Sequence, residues 1–132
     1  MKYMLMMHAP RGTGDWDVTG WTSEDFKAHI EFMSNLNEEL TRAGELVAGE
    51  GLAPPGEARI VQAGSNGVPA VTDGPFAEAK EFLAGFWIVQ VDRAERAYEI
   101  AGKVSTAPGP GGAPLNIAVE VRQVMDAPAE VA

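Results

Sequence analysis

The sequence contains no cysteine among its 132 residues. This absence excludes disulfides, thiolate metal sites and a cysteine nucleophile, and it gives no sign of an oxidising compartment. Long hydrophobic runs are missing as well, since nothing approaches the roughly 20 apolar residues that a membrane span requires. The N-terminal segment has neither the length nor the cleavage site of a signal peptide. We therefore expect a cytoplasmic protein with no membrane partner.

Basic residues are also scarce. Ten Lys and Arg stand against 19 Asp and Glu, which gives a formal net charge of −9. No local cluster of basic residues offsets this balance, because Arg93 and Arg96 are separated by Glu95. A chain with this charge is poorly suited to phosphate backbones or anionic lipids. The composition therefore argues against nucleic acid as a partner.

Residues that hold metals or phosphates are few. The two histidines, His8 and His29, are far apart and lack metal-ligand spacing. The glycine-rich segment Gly109–Gly112 follows a predicted helix and has no Lys-Ser/Thr continuation, which argues against a phosphate loop. We expect no metal site and no cofactor.

Hydrophobic periodicity predicts a single α+β domain with the order β-α-β, hairpin, β-α-β. Thr22 or Ser23 can cap the first helix and Gly44 can end it, while Asp92 and Glu95 form a capping-box pattern for the helix Arg93–Lys103. The other predicted segments are the strands Lys2–His8, Glu45–Leu52, Gly85–Val91 and Ile117–Arg122, a hairpin of Ala58–Ala63 and Val68–Thr72, a short helix Ala77–Leu83, the loops Ala9–Gly20 and Thr106–Pro114, and a frayed tail Asp126–Ala132.

This order matches the split βαβ pattern, an antiparallel sheet with two helices on one face and here an extra hairpin. Two helices cover only one side of such a sheet. The other side stays apolar, because Met4, Met6 and the strand containing Phe86 contribute to it. An apolar face of this kind requires a cover. We predict a homodimer that packs sheet against sheet.

The segment Asp73-Gly74-Pro75-Phe76 forms a rigid corner ahead of an apolar strand. Pro75 fixes its own φ and biases Gly74 away from the helical region. Asp73 in this context commonly bonds a nearby backbone N–H, which alone would account for it. Alternatively, its carboxylate orients a histidine and stabilises the imidazolium.

Three segments resemble the YCII-related family, in its branch named for the Asp-Gly-Pro-Phe motif. They are Met1-Lys2-Tyr3-Met4-Leu5, the Asp73–Phe76 corner with Glu78 and Lys80-Glu81 ahead of Leu83-Ala84-Gly85-Phe86, and Glu120-Val121-Arg122. The chain departs from the family pattern at His8, Ala84, Gln123 and in the length of the Thr106–Pro114 loop. The resemblance implies a ferredoxin-like fold, dimers built sheet against sheet, and an active site near a helix histidine and an acidic residue. One relative of that family is a cofactor-independent dehydrochlorinase acting on a chlorinated hydroxyhydroquinone.

Three residues are candidates for catalysis. His29 lies on the apolar stripe of the first helix, between Phe26 and Met33, where it is either an acid/base group or a histidine satisfied by one hydrogen bond. His8 ends the first strand, either facing a ligand or capping the strand in solvent. Asp73 is the expected orienter of one of these rings. Five further residues are candidates for substrate binding: Lys80, Glu81, Met6, Phe86 and Trp87.

The sequence leaves three kinds of function open. The first is a cofactor-independent enzyme that moves a proton on a small aromatic or carbonyl compound, in an elimination or isomerisation. The second is a non-catalytic small-molecule-binding or accessory protein that uses the same pocket. The third is a structural dimer without a ligand.

Overall fold

The computed structural model of the chain describes residues 1–10, 20–76 and 80–126. The helices and strands of this part of the chain are β1 (Lys2–Pro10), α1 (Ser23–Arg42), β2 (Leu46–Gly51), β3 (Arg59–Gln62), β4 (Ala70–Asp73), β5 (Glu81–Gln90), α2 (Ala94–Ser105) and β6 (Val119–Gln123). Within the same ranges, no helix is long and apolar enough to cross a membrane.

Four strands form the main sheet in the order β2-β5-β1-β6, and every neighbouring pair is antiparallel. Helix α1 follows the central strand β1, and helix α2 follows the central strand β5. This is the ferredoxin-like arrangement that the element order predicted. Strands β3 and β4, which come between β2 and β5 in the sequence, form a separate two-stranded hairpin. This confirms the predicted hairpin insertion.

The core lies between the helices and one face of the main sheet. Along β1, Tyr3, Leu5 and Met7 are buried, and the residues between them are only partly buried. Leu40 of α1 and Ile100 of α2 are almost completely buried against this face. On the other side, which we call the open face, two cross-strand pairs carry partly buried apolar side chains: Met4 with Ile88 and Met6 with Phe86.

Local signals explain both ends of α1. The side-chain oxygen of Thr22 accepts a hydrogen bond from the backbone N–H of Asp25, and the carboxylate of Asp25 accepts one from the backbone N–H of Thr22. This reciprocal pair is a capping box, which satisfies two N–H groups that the helix leaves without partners. Gly44, just after the helix, has a φ of 73° as a left-handed stop requires.

The predicted short helix Ala77–Leu83 is wrong over its last three residues. Glu81, Phe82 and Leu83 belong to β5, where they pair with Pro10, Ala9 and His8 of β1. Cross-strand pairing over this distance in sequence overrides the local helix preference. For the same reason Ala9 and Pro10 extend β1 beyond the predicted Lys2–His8. Residues 77–79 and most of the predicted loop Ala9–Gly20 lie outside the described residues, as do residues 127–132 of the predicted tail.

The predicted cap of α2 is also wrong. The N-cap is Arg93, which makes no capping bond with its side chain, and the helix begins at Ala94 instead of Arg93. Just before the helix, Val91 is buried and its N–H donates to the carbonyl of Met1, which holds this part of the chain beside β1.

Candidate functional site

One face of α1 forms the wall of a cleft above the main sheet. His29, Met33 and Asn37 are four residues apart, so they project from the same side of the helix. Opposite them lie Met7 of β1 and Trp87 of β5. We call this space the His29 cleft; its volume is about 300 Å³, and it is lined by Met7, His29, Ile30, Met33, Asn37, Gly49, Glu50, Gly51, Ala84, Gly85 and Trp87. The prediction that His29 points toward the sheet is consistent with this placement.

Glycines leave the floor of the His29 cleft open. Gly51 of β2 lies opposite Gly85 of β5, and Gly85 lies opposite the buried Met7 of β1, so all three face the helices. A Cβ atom at Gly85 would approach the backbone oxygen of Glu50 to 3.0 Å, whereas one at Gly51 would meet no atom within 4 Å. The cleft is open where β2 and β5 carry glycine, at Gly51 and Gly85, on the side of the sheet that faces the helices.

The imidazole of His29 is fixed by a backbone group. Its Nδ1 lies 2.9 Å from the carbonyl oxygen of Pro108. A carbonyl oxygen can only accept, so Nδ1 carries the proton of this hydrogen bond. In the neutral ring the lone pair is then on Nε2. The ring of Trp21 meets that of His29 nearly edge-on, at 77° with centroids 5.4 Å apart. Tautomer and orientation of His29 are both set by its surroundings.

The loop that supplies the Pro108 carbonyl is tied to the start of α1. The other carboxylate oxygen of Asp25 accepts a hydrogen bond of 3.0 Å from the N–H of Gly111. Backbone N–H groups of Thr22 and Gly111 together hold the pKa of the Asp25 carboxyl below its usual value. The same residue that caps α1 therefore holds the loop beside His29.

Asn37 and Trp87 close the far end of the His29 cleft. The indole N–H of Trp87 donates to Oδ1 of Asn37 over 2.9 Å. Trp87 is 6% exposed, so this hydrogen bond joins α1 to the buried face of β5. The structure thus places Trp87, a predicted substrate-binding residue, in the same cleft as His29.

The other predicted catalytic residues lie elsewhere. His8 is on the open face, where its Nε2 lies 2.9 Å from a carboxylate oxygen of Glu120. Asp73 ends β4 in the hairpin, with its side chain 94% exposed and one carboxylate oxygen 3.7 Å from Nε of Arg59. In the described structure each of the three candidates therefore contacts a different group: His29 the Pro108 carbonyl, His8 Glu120, and Asp73 Arg59. The pairing of Asp73 with a histidine stays a prediction.

The remaining predicted substrate-binding residues do not converge on one place. Met6 and Phe86 face each other on the open face, and Lys80 is exposed just before β5. Glu81 lines a second cleft of about 520 Å³ beside the Asp-Gly-Pro-Phe corner, together with Pro75 and Phe76. Within the described ranges, no three His, Asp or Glu side chains converge closely enough to hold a metal ion.

Two features of the His29 cleft were missed by the sequence analysis. The Pro108 carbonyl is a backbone group 79 residues away from His29, and no side-chain pattern reports it. Asn37 had a signal, because it follows His29 by eight residues on the same helical face as Met33.

Comparison with known proteins identifies relatives over most of the chain. The family model of the YCII-related domain matches residues 1–113, which contain the His29 cleft and the hairpin. An uncharacterized protein of Rhizobium meliloti (strain 1021) is 31% identical over 103 residues, which cover 77% of this chain and 82% of that protein.

Proposed function

The chain belongs to the YCII-related family, and from that premise we propose that it is a small-molecule enzyme in which His29 transfers a proton without a cofactor. One observation carries this proposal: the His29 ring is held in a single orientation by the Pro108 carbonyl at the wall of a largely apolar cleft. An imidazole ring can accept a proton at one nitrogen and return it later, so His29 can act first as a base and then as an acid.

The reaction uses Nε2 of His29 as the base. This nitrogen removes a proton from a carbon of the substrate, and the electron pair of the C–H bond forms a C=C bond. In an elimination, the leaving group on the adjacent carbon departs with its own electron pair. In an isomerisation, a neighbouring carbonyl oxygen holds the charge as an enolate, and the imidazolium returns the proton to another carbon. The Nδ1–H hydrogen bond to Pro108 keeps Nε2 as the nitrogen that exchanges the proton with the substrate.

The proposal gives Pro108, and not Asp73, the orienting role. The Pro108 carbonyl contacts the His29 ring directly, whereas the Asp73 carboxylate lies beside Arg59 in the hairpin. A base that is already oriented before the substrate binds loses less entropy in the transition state.

Proton transfer by His29 can be tested without knowing the substrate. The assay incubates the protein in D₂O with a set of small ketones and follows deuterium incorporation at carbon by NMR. We expect His29→Gln to lower the rate by about 10²–10⁴-fold, the usual contribution of a general base.

The matched control is His8→Gln, which removes the histidine of the open face. We expect exchange to continue in this variant at the wild-type rate. If His8→Gln abolishes exchange and His29→Gln does not, the active site is on the open face. If both variants exchange at the wild-type rate, the protein is not a histidine-based enzyme. If the wild-type protein binds a ligand but shows no exchange, it is a binding protein.

We further propose that the open face forms a homodimer interface, as the sequence predicted. The pairs Met4 with Ile88 and Met6 with Phe86 give this face a continuous apolar strip that the helices of the same chain do not cover. Light scattering at micromolar concentration tests the assembly, and a monomer mass would contradict it.

A further inference from the structure

Asn37 adds a second polar side chain to the α1 wall of the His29 cleft. The indole nitrogen of Trp87 can only donate, so the atom of Asn37 that faces it at 2.9 Å is the amide oxygen. This contact determines which way round the Asn37 amide lies. The Nδ2 group, with its two N–H bonds, is left to face a different partner. Asn37 lines the His29 cleft and also a neighbouring groove with Ser34 and Thr41, so a ligand in the cleft is within reach of this side chain.

Helix geometry sets the distance between the two polar ends of the cleft. His29 and Asn37 are eight residues apart on α1, which corresponds to about 12 Å along the helix axis. If the two side chains project in parallel and the ligand lies along α1, a hydrogen bond of about 2.8 Å at each end leaves about 6 Å between the two polar atoms of the ligand. Met33 lies between them on the helix, and Met7 lies across the cleft, so the middle of the ligand contacts apolar side chains.

We infer that Asn37 is a specificity-determining residue, whose Nδ2–H group holds an acceptor oxygen at one end of a flat, apolar ligand while Nε2 of His29 accepts a proton at the other end. This inference rests on the proposed function, because it assigns the second end of the same site. The ligand it selects has the span of one six-membered ring with polar atoms at opposite positions.

A ligand without the acceptor oxygen is rejected for a physical reason. It would cover the Asn37 amide with apolar surface and leave its N–H groups without a partner, which is costly for a buried donor. Sites built to hydrogen-bond one ligand group discriminate strongly against analogues that lack it. Apolar contact alone would discriminate much less.

The test compares the isomers of hydroxyacetophenone as probes. The 4-isomer places hydroxyl and carbonyl at opposite ends of the ring, whereas the 2-isomer places them side by side. Calorimetry gives the affinity, and ¹⁵N NMR follows the side-chain amide of Asn37 and the indole N–H of Trp87. We expect the 4-isomer to bind at least about tenfold more tightly than the 2-isomer, since only it reaches both ends.

The variant Asn37→Asp tests the Nδ2–H donor separately from the contact with Trp87. A carboxylate still accepts from Trp87, so the contact between α1 and β5 is kept while the Nδ2–H group is lost. The control is Asn35→Asp, which adds the same charge to an exposed position of the same helix. We expect Asn37→Asp to lower the affinity of the protein for the 4-isomer at least about tenfold. Asn35→Asp should leave that affinity unchanged.

Each outcome separates this inference from the proposed function. If the wild-type protein does not prefer the 4-isomer, or if both Asp variants behave alike, Asn37 does not determine specificity. Deuterium exchange that still depends on His29 would in that case leave the proposed function standing. If exchange does not depend on His29 but Asn37→Asp still weakens the 4-isomer, the proposed function is wrong and the Asn37 contact belongs to a binding site.

Discussion

The two histidines lie on opposite faces of the main sheet, in surroundings of different construction. His29 stands between a helix and the sheet, with its ring held by the Pro108 carbonyl and by the edge contact with Trp21. His8 stands on the open face, where its partner Glu120 has a side chain that is 52% exposed. Water competes for the contact between His8 and Glu120 more than for the contact between His29 and Pro108, because the first is exposed and the second is partly buried. The histidine on the helix-covered face is therefore the one whose ring contacts are better shielded from water.

The same contrast separates the sheet from the hairpin. Under the helices, Leu5, Leu40, Ile100, Val89 and Val104 are almost completely buried. In the hairpin, Val61 and Val71 face each other across the strands, yet they are 58% and 59% exposed. Apolar area stabilises a fold only where it leaves water. Burial under the helices therefore contributes more to the stability of the fold than burial in the hairpin does.

Core truncation should give the largest difference between the two regions. Leu40→Ala removes a side chain that is 1% exposed, and we expect it to lower the free energy of unfolding by about 3 kcal/mol through lost burial and a cavity. Val71→Ala in the hairpin should change it by less than about 0.5 kcal/mol. Urea denaturation of both variants at one protein concentration measures these values. Equal losses would show that the hairpin is packed against a further surface.

The fold could be predicted from the sequence wherever local signals decided the structure. Thr22, Asp25 and Gly44 mark the two ends of α1 by cap chemistry alone, and the turn between β3 and β4 contains Gly67 with a φ of 74°. The start of β5 could not be predicted in this way. Glu81 and Phe82 have no local strand signal strong enough to outweigh a helix, and only their pairing with β1 places them in the sheet.

The same distinction between local signals and contacts distant in sequence applies to the candidate site. His29 could be found because helical spacing places it beside Met33. Its orienting group could not, because every residue type has a backbone carbonyl. The loop of Pro108 is held beside α1 by contacts that are distant in sequence, such as the one between Asp25 and Gly111. The corner at Asp73 was one of three segments that suggested the family, and the structure places the Asp73 side chain in an exposed hairpin.

Filling the His29 cleft should weaken ligand binding with no loss of stability. Gly51→Leu adds a side chain where a Cβ atom meets nothing within 4 Å, so the backbone accommodates it while the side chain occupies the cleft. We expect the affinity for 4-hydroxyacetophenone to fall at least about tenfold, an effect of about 1.4 kcal/mol. Gly102→Leu, in an exposed position of α2 with equal room, is the control for the added side chain. Unchanged affinity in Gly51→Leu would place the ligand outside the cleft.

Ion pairs give the smallest and most pH-dependent contrast. In the helix-covered part, Arg96 makes two hydrogen bonds of 2.8 Å to the carboxylate of Glu45, whose side chain is 15% exposed. In the hairpin, the Arg59–Asp73 pair is 3.7 Å apart and mostly exposed. We expect Glu45→Gln to lower the free energy of unfolding at pH 7 by about 1 kcal/mol, since hydrogen bonds between charged groups exceed neutral ones. Asp73→Asn should leave the free energy of unfolding unchanged, because exposed pairs contribute little.

The pH dependence follows from the direction of the Glu45 shift. Hydrogen bonding to Arg96 holds the pKa of the Glu45 carboxyl below its ordinary value of 4.5. A carboxyl whose pKa is lowered by folding stabilises the protein above its unfolded pKa, and that contribution is lost as the pH falls through the folded pKa. The difference between wild type and Glu45→Gln should therefore be full at pH 7 and shrink below about pH 4.5. Urea denaturation across this range measures it, and a difference that persisted at pH 3 would show that Glu45 acts through packing rather than through its charge.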